Sequence, residues 1–558
     1  MFWVDQIVED IEKRFPDKKS FIVRDEKTPS GRVHIGSLRG VVIHAIIAQA
    51  LSEKGYDAKF YYELNDADPM DGLPGNVSPK FKEYMGRPLK NVPAPDEKGE
   101  PDVAAFEKDP EKNFANHWSD EFIGVIKNLG FNPIFYKSST LYNEGKYDEW
   151  IDKVLESPNE IRQVYKEVSG SEKREEWNPL QIVCENCGMV GTTTVVSSTG
   201  ERGARKVVYE CEPAKVKWAK GCGHKGETSP YKGRGKLPWK VEWAVKWHIW
   251  PVDVEGAGKD HSAAGGSHEV SEKISRDVLK LEPPFYFPYE FFLFGGAKMS
   301  SSKGLGASAK EVADTLPPEL LRFLMVRTWP NQTIDFDPAG QTMLRLYDRH
   351  DESAEAYFGR SKLENVSLDD LSRAYHFSQV DPKNVPDRFF PRFSRVAFLL
   401  QIPSLNFDEE IKKLKGSDLT EADIKEATER KEYAQIWLKK YADENSLFTV
   451  QDELPPKAKD LTADQKDFLQ KIADMLETKE WHGEELHGAI HELRKASPLD
   501  AKTGFQAIYI ALLGKESGPQ AGWFLEALDK KFVIKRFREV KNSVAAEKIL
   551  EPPVTPKV

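Results

Sequence analysis

A short apolar run, "SFIVRD" (Ser20–Asp25), a turn carrying glycines, a long apolar segment and a second run, "DAKFYYELND" (Asp57–Asp66), follow one another directly. Parallel neighbours in a sheet need a crossover long enough to hold a helix, so this succession predicts strand, loop, helix, strand: the opening of a parallel α/β sheet. The helix is expected over Ile35–Leu51, closed by Gly55 after Ser52, Glu53 and Lys54. Its apolar stretch, Gly40–Leu51, contains His44 and Gln49 and reads as a buried core helix too short to span a bilayer. Ahead of the first strand, residues 3–14 have helical spacing, with Trp3, Ile7, Ile11 and Phe15 on one side.

Beyond this unit the pattern divides the chain. A stretch rich in Pro, Gly and charge, from Pro74 to about Lys112, suggests an excursion or flexible loop. "ANHWSDEFIGVIKNLGF" reads as an amphipathic helix, "PIFYKSS" as a strand, and "YDEWIDKVLESPNEIRQVYKEV" as a helix broken near Pro158. The cysteines fall in 180–228, helix-strand alternation resumes from about 240 to 330, and the pattern past about 345 is almost wholly helical. The expected division is residues 1–165 and 239–295 as two halves of an α/β catalytic domain, 166–238 as an inserted module, 296–345 as a loop and connecting region, and 346–558 as an all-α domain.

Four cysteines in 558 residues cannot form a disulfide scaffold, and the N-terminal stretch lacks the pattern of a secretion signal, so a cytoplasmic protein outside the membrane is expected. Cys184-x2-Cys187 and Cys211-x10-Cys222 use every cysteine, each pair beside a glycine. Two such knuckles can present four thiolates to a structural Zn²⁺; four free cysteines are the alternative, and His224 could replace Cys222. Formal net charge is -10, which argues against indiscriminate coating of nucleic acid and leaves room for a local basic track.

The turn "TPSGRVHIGSLRG" places Gly31 and Gly36 where the backbone can approach a ligand at a helix start. The first N–H groups of a helix and its dipole favour an anion there, and His34 and Ser37 could donate to phosphate oxygens. No G-x-G-x-x-G pattern and no P-loop lysine is present, which speaks against a dehydrogenase or a P-loop enzyme. Far along the chain, "FGGAKMSSSKGLG" (Phe294–Gly306) sets three serines between two lysines with glycines on both sides.

"HIGS" at 34–37 resembles the HIGH motif of class I aminoacyl-tRNA synthetases, and "KMSSS" at 298–302 resembles their KMSKS motif, in the same order. Ser37 stands where that family has its second histidine, and Ser301 where it has its second lysine, with Lys303 two residues on. "PWKVEWAVKWHIWPVDVEGAGKDHSAAGGSH", "YEFFLFGGAKMSSSKG", "YYELNDADPMDGLP" and "FQAIYIALLGKESGPQAGWFLEALDKKFV" resemble segments of class I lysyl-tRNA synthetases. The resemblance implies a Rossmann-like parallel-sheet catalytic domain with an inserted zinc-ribbon-like module, then an all-α anticodon-binding domain.

It also implies the reaction: L-lysine and ATP, with Mg²⁺, give lysyl-adenylate, and the lysyl group passes to the 3′ end of tRNA(Lys), with a monomer expected. Carried over residue by residue, His34, Lys298 and Lys303 are the catalytic candidates. His34, Gly36, Ser37, Gly258, Asp260, Lys298, Ser300, Ser301 and Lys303 are the ATP-binding candidates, and Thr28, Trp239, His261 and Tyr289 are the amino-acid pocket. The lysine ammonium needs an acid or an aromatic face, and Asp25, Glu242, Asp260 and Glu290 are all available. "ARKVVYE" and "AKVKWAKG" could touch the acceptor stem or be a solvated basic face, and Arg494, Trp523, Phe524 and Arg536 are possible RNA contacts in the helical domain, with a core or surface role the favoured reading for each. A class I synthetase for glutamate or glutamine, or an inactive relative that only binds tRNA, are the competing readings.

Overall fold

The computed structural model describes residues 1–296, 307–364, 366–402, 405–444 and 446–542. Two compact units result: Met1–Asp337 with His350–Val385, and Pro338–Arg349 with Pro386–Val558. The strands of the first unit are β1 (Ser20–Lys27), β2 (Asp57–Leu64), β3 (Ile134–Lys137), β4 (Gln181–Ile182), β5 (Thr193–Thr199), β6 (Lys206–Cys211), β7 (Lys225–Thr228), β8 (Gly235–Lys236), β9 (Val254–Gly258), β10 (Phe285–Tyr289), β11 (Phe292–Phe294) and β12 (Ile334–Phe336).

Five of these form one parallel sheet in the order β10-β9-β1-β2-β3. From β1 the chain builds outward through β2 to β3, then returns to lay β9 and β10 on the other side of β1. The crevice at the carboxyl ends of β1 and β9 is therefore the switch point at which open α/β sheets bind ligands. The long stretch between β3 and β9 holds β4 to β8, which make a separate antiparallel module.

The helix Ile35–Glu53 joins β1 to β2 and packs on the sheet, with the helices Trp3–Arg14 and Pro318–Val326 also against it. Covered by the sheet and these helices, it is buried almost all round. It extends past the apolar run on both sides and is, by length and composition, long enough to cross a membrane, which corrects the expectation drawn from the run alone; 78% of that window is buried inside the protein. Its buried polar residues serve as ties. His44 donates from Nδ1 to the Gly40 carbonyl (2.7 Å) and accepts the Gly256 N–H at Nε2 (2.8 Å), fixing its tautomer and joining the helix to β9. Burial lowers its pKa to about 4, so the ring is neutral. Arg39, fully buried, donates to the carbonyls of Phe291 (3.1 Å), Trp329 (3.0 Å) and Gln332 (2.7 Å).

The excursion after β2 is more ordered than its composition predicts. Short 3₁₀ turns at Pro79–Tyr84 and Leu89–Asn91 close on a small core of Met70, Phe81, Leu89, Val92, Phe114 and Trp118. A few well-spaced aromatic and aliphatic residues thus outweigh the turn-forming background. In the second unit, helices surround a core that includes Phe468, Ile472, Leu486, Ile490, Ile508, Phe524 and Phe537. Phe524 is wholly buried there, and Arg536 donates to the carbonyls of Ala511, Gln451 and Asp452, so both hold this fold together rather than face RNA.

Close packing of helix on sheet is tightest at Gly40, where a Cβ would stand 2.5 Å from the Tyr289 Oη and 2.9 Å from an Asp25 oxygen. Gly40→Ala is expected to lower the stability of the unit by about 1–3 kcal/mol through overpacking. Urea unfolding measures this, and an unchanged midpoint would contradict the packing described.

Candidate active site

Two adjoining cavities open at the switch point. The larger, about 540 Å³, is lined by Thr28, Trp239, Trp243, Gly258, His261 and Tyr289 together with several acids. The smaller, about 200 Å³, is lined by His34, Gly36, Ser37, Gly258, Asp260 and Tyr289 among others. All four residues expected in an amino-acid pocket therefore fall in the first cavity, and the described nucleotide candidates in the second. Each comes from the carboxyl end of the sheet: Thr28 after β1, Gly258 closing β9, Asp260 and His261 in the turn Lys259–Ser262, Tyr289 closing β10. Trp239 begins the helix Trp239–Ile249 and its ring lies 5.1 Å from His261 and 5.0 Å from Trp243.

Lys298, Ser300, Ser301 and Lys303 lie outside the described residues, but the chain on either side of them is described. The Gly296 N–H donates to the Asp335 carboxylate at 2.9 Å, fixing the entry. On the exit side, Ser308 bridges His34 in antiparallel fashion, the Ile35 N–H donates to the Ala307 carbonyl (3.2 Å) and the Ala309 N–H to the Val33 carbonyl (2.8 Å). The two glycine-bearing stretches, more than 250 residues apart in sequence, are thus joined by backbone hydrogen bonds at the His34 end. The bonds modify the expected anion site: the Ile35 amide donates to the Ala307 carbonyl and the Ser37 amide to the His34 carbonyl, so neither is offered to a ligand, while the helix dipole, the Gly36 amide and the Ser37 hydroxyl remain.

Beneath the larger cavity lies a buried ionic network. Arg24 reaches Glu255 (2.5 Å), Glu26 (2.6 Å) and Glu63 (2.6 Å); Lys246 reaches Glu26 (2.7 Å), Glu63 (2.8 Å) and Glu242 (3.2 Å); Lys236 reaches Glu242 (2.7 Å) and Asp68 (2.9 Å). Strand register explains part of it. Glu26 and Glu63 stand directly opposite on β1 and β2, a repulsive pair unless cations are placed beside them. Burial works against ionising Glu26, but Lys246 and Arg24 overcome it and hold its pKa well below the usual carboxylate range. Burial of Glu255 outweighs the help it receives from Arg24 and the Trp247 Nε1–H, and its pKa rises to about 7. Lys236 and Lys246, although buried, are held charged by the acids around them.

The network sorts the acids that sequence reading left open. Glu242 is fully buried and already satisfied by the Tyr142 hydroxyl (2.6 Å), Lys236 and Lys246. Glu290 takes Lys259 at 2.6 Å. Burial raises Asp25 to about 7, opposed by the N–H of Glu26. Four acids that were not expected, Glu26, Asp68, Asp71 and Glu255, line the larger cavity. Glu26 also accepts the Trp239 Nε1–H (3.2 Å), and Asp68 accepts the Thr28 hydroxyl (2.7 Å). The acid-rich end of β2, "NDADPMD", was the available signal for Asp68 and Asp71. Glu26 and Glu255 could be found only from the strand pairing.

In the inserted module the four cysteine sulfurs lie within 4.8 Å of one another, without His224. Cys184 and Cys222 sulfurs are 3.7 Å apart, as are those of Cys187 and Cys211. Thiolates bound at about 2.3 Å around a tetrahedral zinc would stand ~3.8 Å apart, so the set fits such an ion. The Gly188 N–H donates to the Cys184 carbonyl (2.8 Å) and the Gly223 N–H to the Cys211 carbonyl (2.8 Å), the turns that bring each pair together. As thiols the four are unequal: burial opposes ionisation of Cys222, but the Asn186 side chain and the His224 amide lower its pKa to about 6, while burial pushes Cys187 up.

Comparison with known proteins gives a consistent family. A model described as "tRNA synthetases class I (K)" matches residues 1–381, and an anticodon binding domain model matches residues 407–541. The chain is similar to lysine–tRNA ligase 1 of Methanosarcina acetivorans, 33% identical over 562 residues, covering 97% of this chain and 99% of the relative. It is 32% identical over 550 residues to the lysine–tRNA ligase of Thermoplasma acidophilum, covering 97% and 99%. Among solved structures it resembles a glutamate tRNA ligase from Elizabethkingia meningosepticum, at 12% identity and a TM-score of 0.42, covering 94% and 99%.

The raised pKa of Asp25 fixes the sign of a pH effect. The folded chain binds this proton more tightly than the unfolded chain, so the carboxyl's contribution is fully present below about pH 4 and is lost as pH rises through about 7. Asp25→Asn removes that loss. Its stability relative to the parent chain is expected to rise from pH 4 to pH 8.5 by about 1–3 kcal/mol, read as unfolding midpoints across pH. A flat difference would contradict the burial assigned to this group.

Proposed function

The chain belongs to the class I (K) family of tRNA synthetases, and from that membership we propose that it joins L-lysine to the 3′ end of tRNA(Lys), acting in the cytoplasm as a monomer. The observation that carries the choice of lysine is the charge of the larger cavity. Five acids, Asp25, Glu26, Asp68, Asp71 and Glu255, line it against two lysines, Lys27 and Lys236, with the faces of Trp239 and Trp243 alongside. A cationic side chain suits such a cavity on both counts, whereas glutamate would bring a further anion and would require a paired arginine.

In the reading proposed, lysine occupies the larger cavity and ATP the smaller. The amino acid's carboxylate attacks the α-phosphorus, so no side-chain nucleophile is needed, and rate comes from aligning two anions and stabilising the leaving pyrophosphate. Thr28, Trp239, His261 and Tyr289 orient the amino acid. His34, Ser37 and the start of the helix Ile35–Glu53 hold phosphate oxygens, while Gly258 leaves room for the nucleotide and Asp260 accepts from its ribose. Lys298 and Lys303 supply mobile positive charge, with the hydroxyls of Ser300 and Ser301 beside them. Magnesium bound to the phosphates would supply further positive charge for the leaving group. Cys184, Cys187, Cys211 and Cys222 hold a structural zinc, because four protein ligands leave no open position. Residues 1–165 and 239–295 form the catalytic halves, 166–238 the zinc module, 296–345 the loop and stem-contact region, and 346–558 the part that binds the anticodon.

Exchange of labelled pyrophosphate into ATP, run with a panel of amino acids with and without tRNA, is expected to proceed with lysine alone. Exchange with glutamate or glutamine instead would overturn the substrate, and none at all would favour the inactive tRNA-binding reading. Alanine at both Lys298 and Lys303 is expected to slow lysine-dependent exchange by about a hundredfold or more, in line with loss of preorganised charge; unchanged exchange would remove the loop from the mechanism. For the metal, elemental analysis is expected to find one zinc per chain, lost in Cys211→Ser together with a fall in thermal midpoint. Four rapidly titrating thiols in the native protein would show instead that the cysteines are free.

A further inference from the structure

The mechanism above leaves one half-buried cation unused. Lys27 ends β1, the central strand of the switch point, opposite Leu64 of β2. Six residues line both cavities, Asp25, Glu26, Lys27, Gly258, His261 and Tyr289, and Lys27 is the only lysine or arginine among them. Side chains alternate along a strand, so Arg24 and Glu26 turn to the ionic floor while Lys27 shares a face with Asp25. That face is the one covered by the helix Ile35–Glu53, since Asp25 lies against Gly40. Lys27 therefore lies on the side of β1 from which the smaller cavity meets the start of that helix.

Its neighbours show how buried cations are normally treated in this protein. Arg24 and Lys246 each hold three carboxylates and Lys236 holds two. Lys27 makes no side-chain hydrogen bond or ion pair with any described residue. Burial lowers its pKa, and Asp25 and Asp260 act on it only at a distance. Asp25 is itself poorly ionised, with a pKa of about 7. A desolvated ammonium without a carboxylate beside it is costly. An anion entering from either cavity would relieve that cost.

We propose that the Lys27 ammonium binds the amino acid's carboxylate together with the α-phosphate of ATP, at the point where the two cavities meet. The inference rests on the reading of the cavities as amino-acid and nucleotide sites. In the step itself a carboxylate oxygen forms the new bond to the α-phosphorus, the bond from that phosphorus to the bridging oxygen breaks, and pyrophosphate leaves with the electron pair. Lys27 stays protonated throughout and offsets the repulsion between the two anions as they close. A lysine that merely fills space would make no distinction between a ligand with a carboxylate and one without.

The test uses the full chain and two ligands, L-lysine and L-lysinamide, which differ in the carboxylate. The parent protein is expected to bind lysine at least tenfold more tightly than lysinamide, followed by tryptophan fluorescence with a non-hydrolysable ATP analogue present. Lys27→Met is expected to erase that preference, to leave lysinamide binding within about threefold of the parent, and to cut kcat/KM for lysine in pyrophosphate exchange by thirtyfold or more. Lys27→Arg, which keeps the charge, is expected to restore most of both. Retention of the preference in Lys27→Met, or exchange within twofold of the parent, would overturn the proposal. If Lys27→Met does not fold, the parent protein still decides: equal binding of lysine and lysinamide overturns it. Should the parent activate another amino acid, the lysine assignment falls, and the same comparison is made with that amino acid and its amide, because the proposed contact is to the carboxylate common to all.

Discussion

The arrangement of the site depends on the buried ionic network that lies under β1. Three cations, Arg24, Lys236 and Lys246, face five carboxylates, Glu26, Glu63, Glu242, Glu255 and Asp68, in a region from which water is largely excluded. Charges so placed must be paired, and pairing fixes their positions. Strands β1, β2 and β9 and the helix Trp239–Ile249 are held in one register partly by these ions, since each contributes at least one of them. The surplus of acid is also the electrostatic character of the larger cavity. A cation entering above it would meet a prepared negative field.

A second constraint works through the backbone. The chain returns to the His34 turn at Ala307, Ser308 and Ala309, which pair with Val33, His34 and Ile35. These bonds hold residues 307–309 against the His34 turn, and the Gly296 N–H bond to Asp335 anchors the chain just before residue 297. The helix Ile35–Glu53 carries the same logic inward, because Arg39 grips the carbonyls after β10 while His44 grips β9. Its neutral histidine, with one ring nitrogen donating and the other accepting, is a structural tie and not a general base.

Much was legible before any coordinates. The strand-loop-helix-strand opening is local, its periodicities are strong, and the sheet that follows from it is the one observed. The cysteine knuckles were legible because metal-ligand spacing is short in sequence, even though Cys211 and Cys222 are unusually far apart. The stretch from Pro74 to about Lys112 is the excursion its composition suggested and not the flexible loop, because composition counts its prolines and glycines while the fold is decided by a few apolar residues that find each other. Phe524 and Arg536, whose types suit RNA as well as a core, are decided for the core by their surroundings.

By itself the sequence determined the order of the elements, the glycine turn at the first helix, the four-cysteine set and the signature stretch that carries Lys298 and Lys303, all of which are written in short stretches of the chain. Only the tertiary structure decided which acids face the cavity and which are consumed in the floor, and that Lys27 has no ion pair among the described residues where the two cavities join. The reason is physical. Local pattern follows from steric and apolar preferences of neighbours in the chain, whereas the charge state and availability of a side chain follow from what stands within a few ångströms in space. For Glu26 and Glu242 the deciding neighbours include Lys246 and Tyr142, which come from elements a hundred or more residues away.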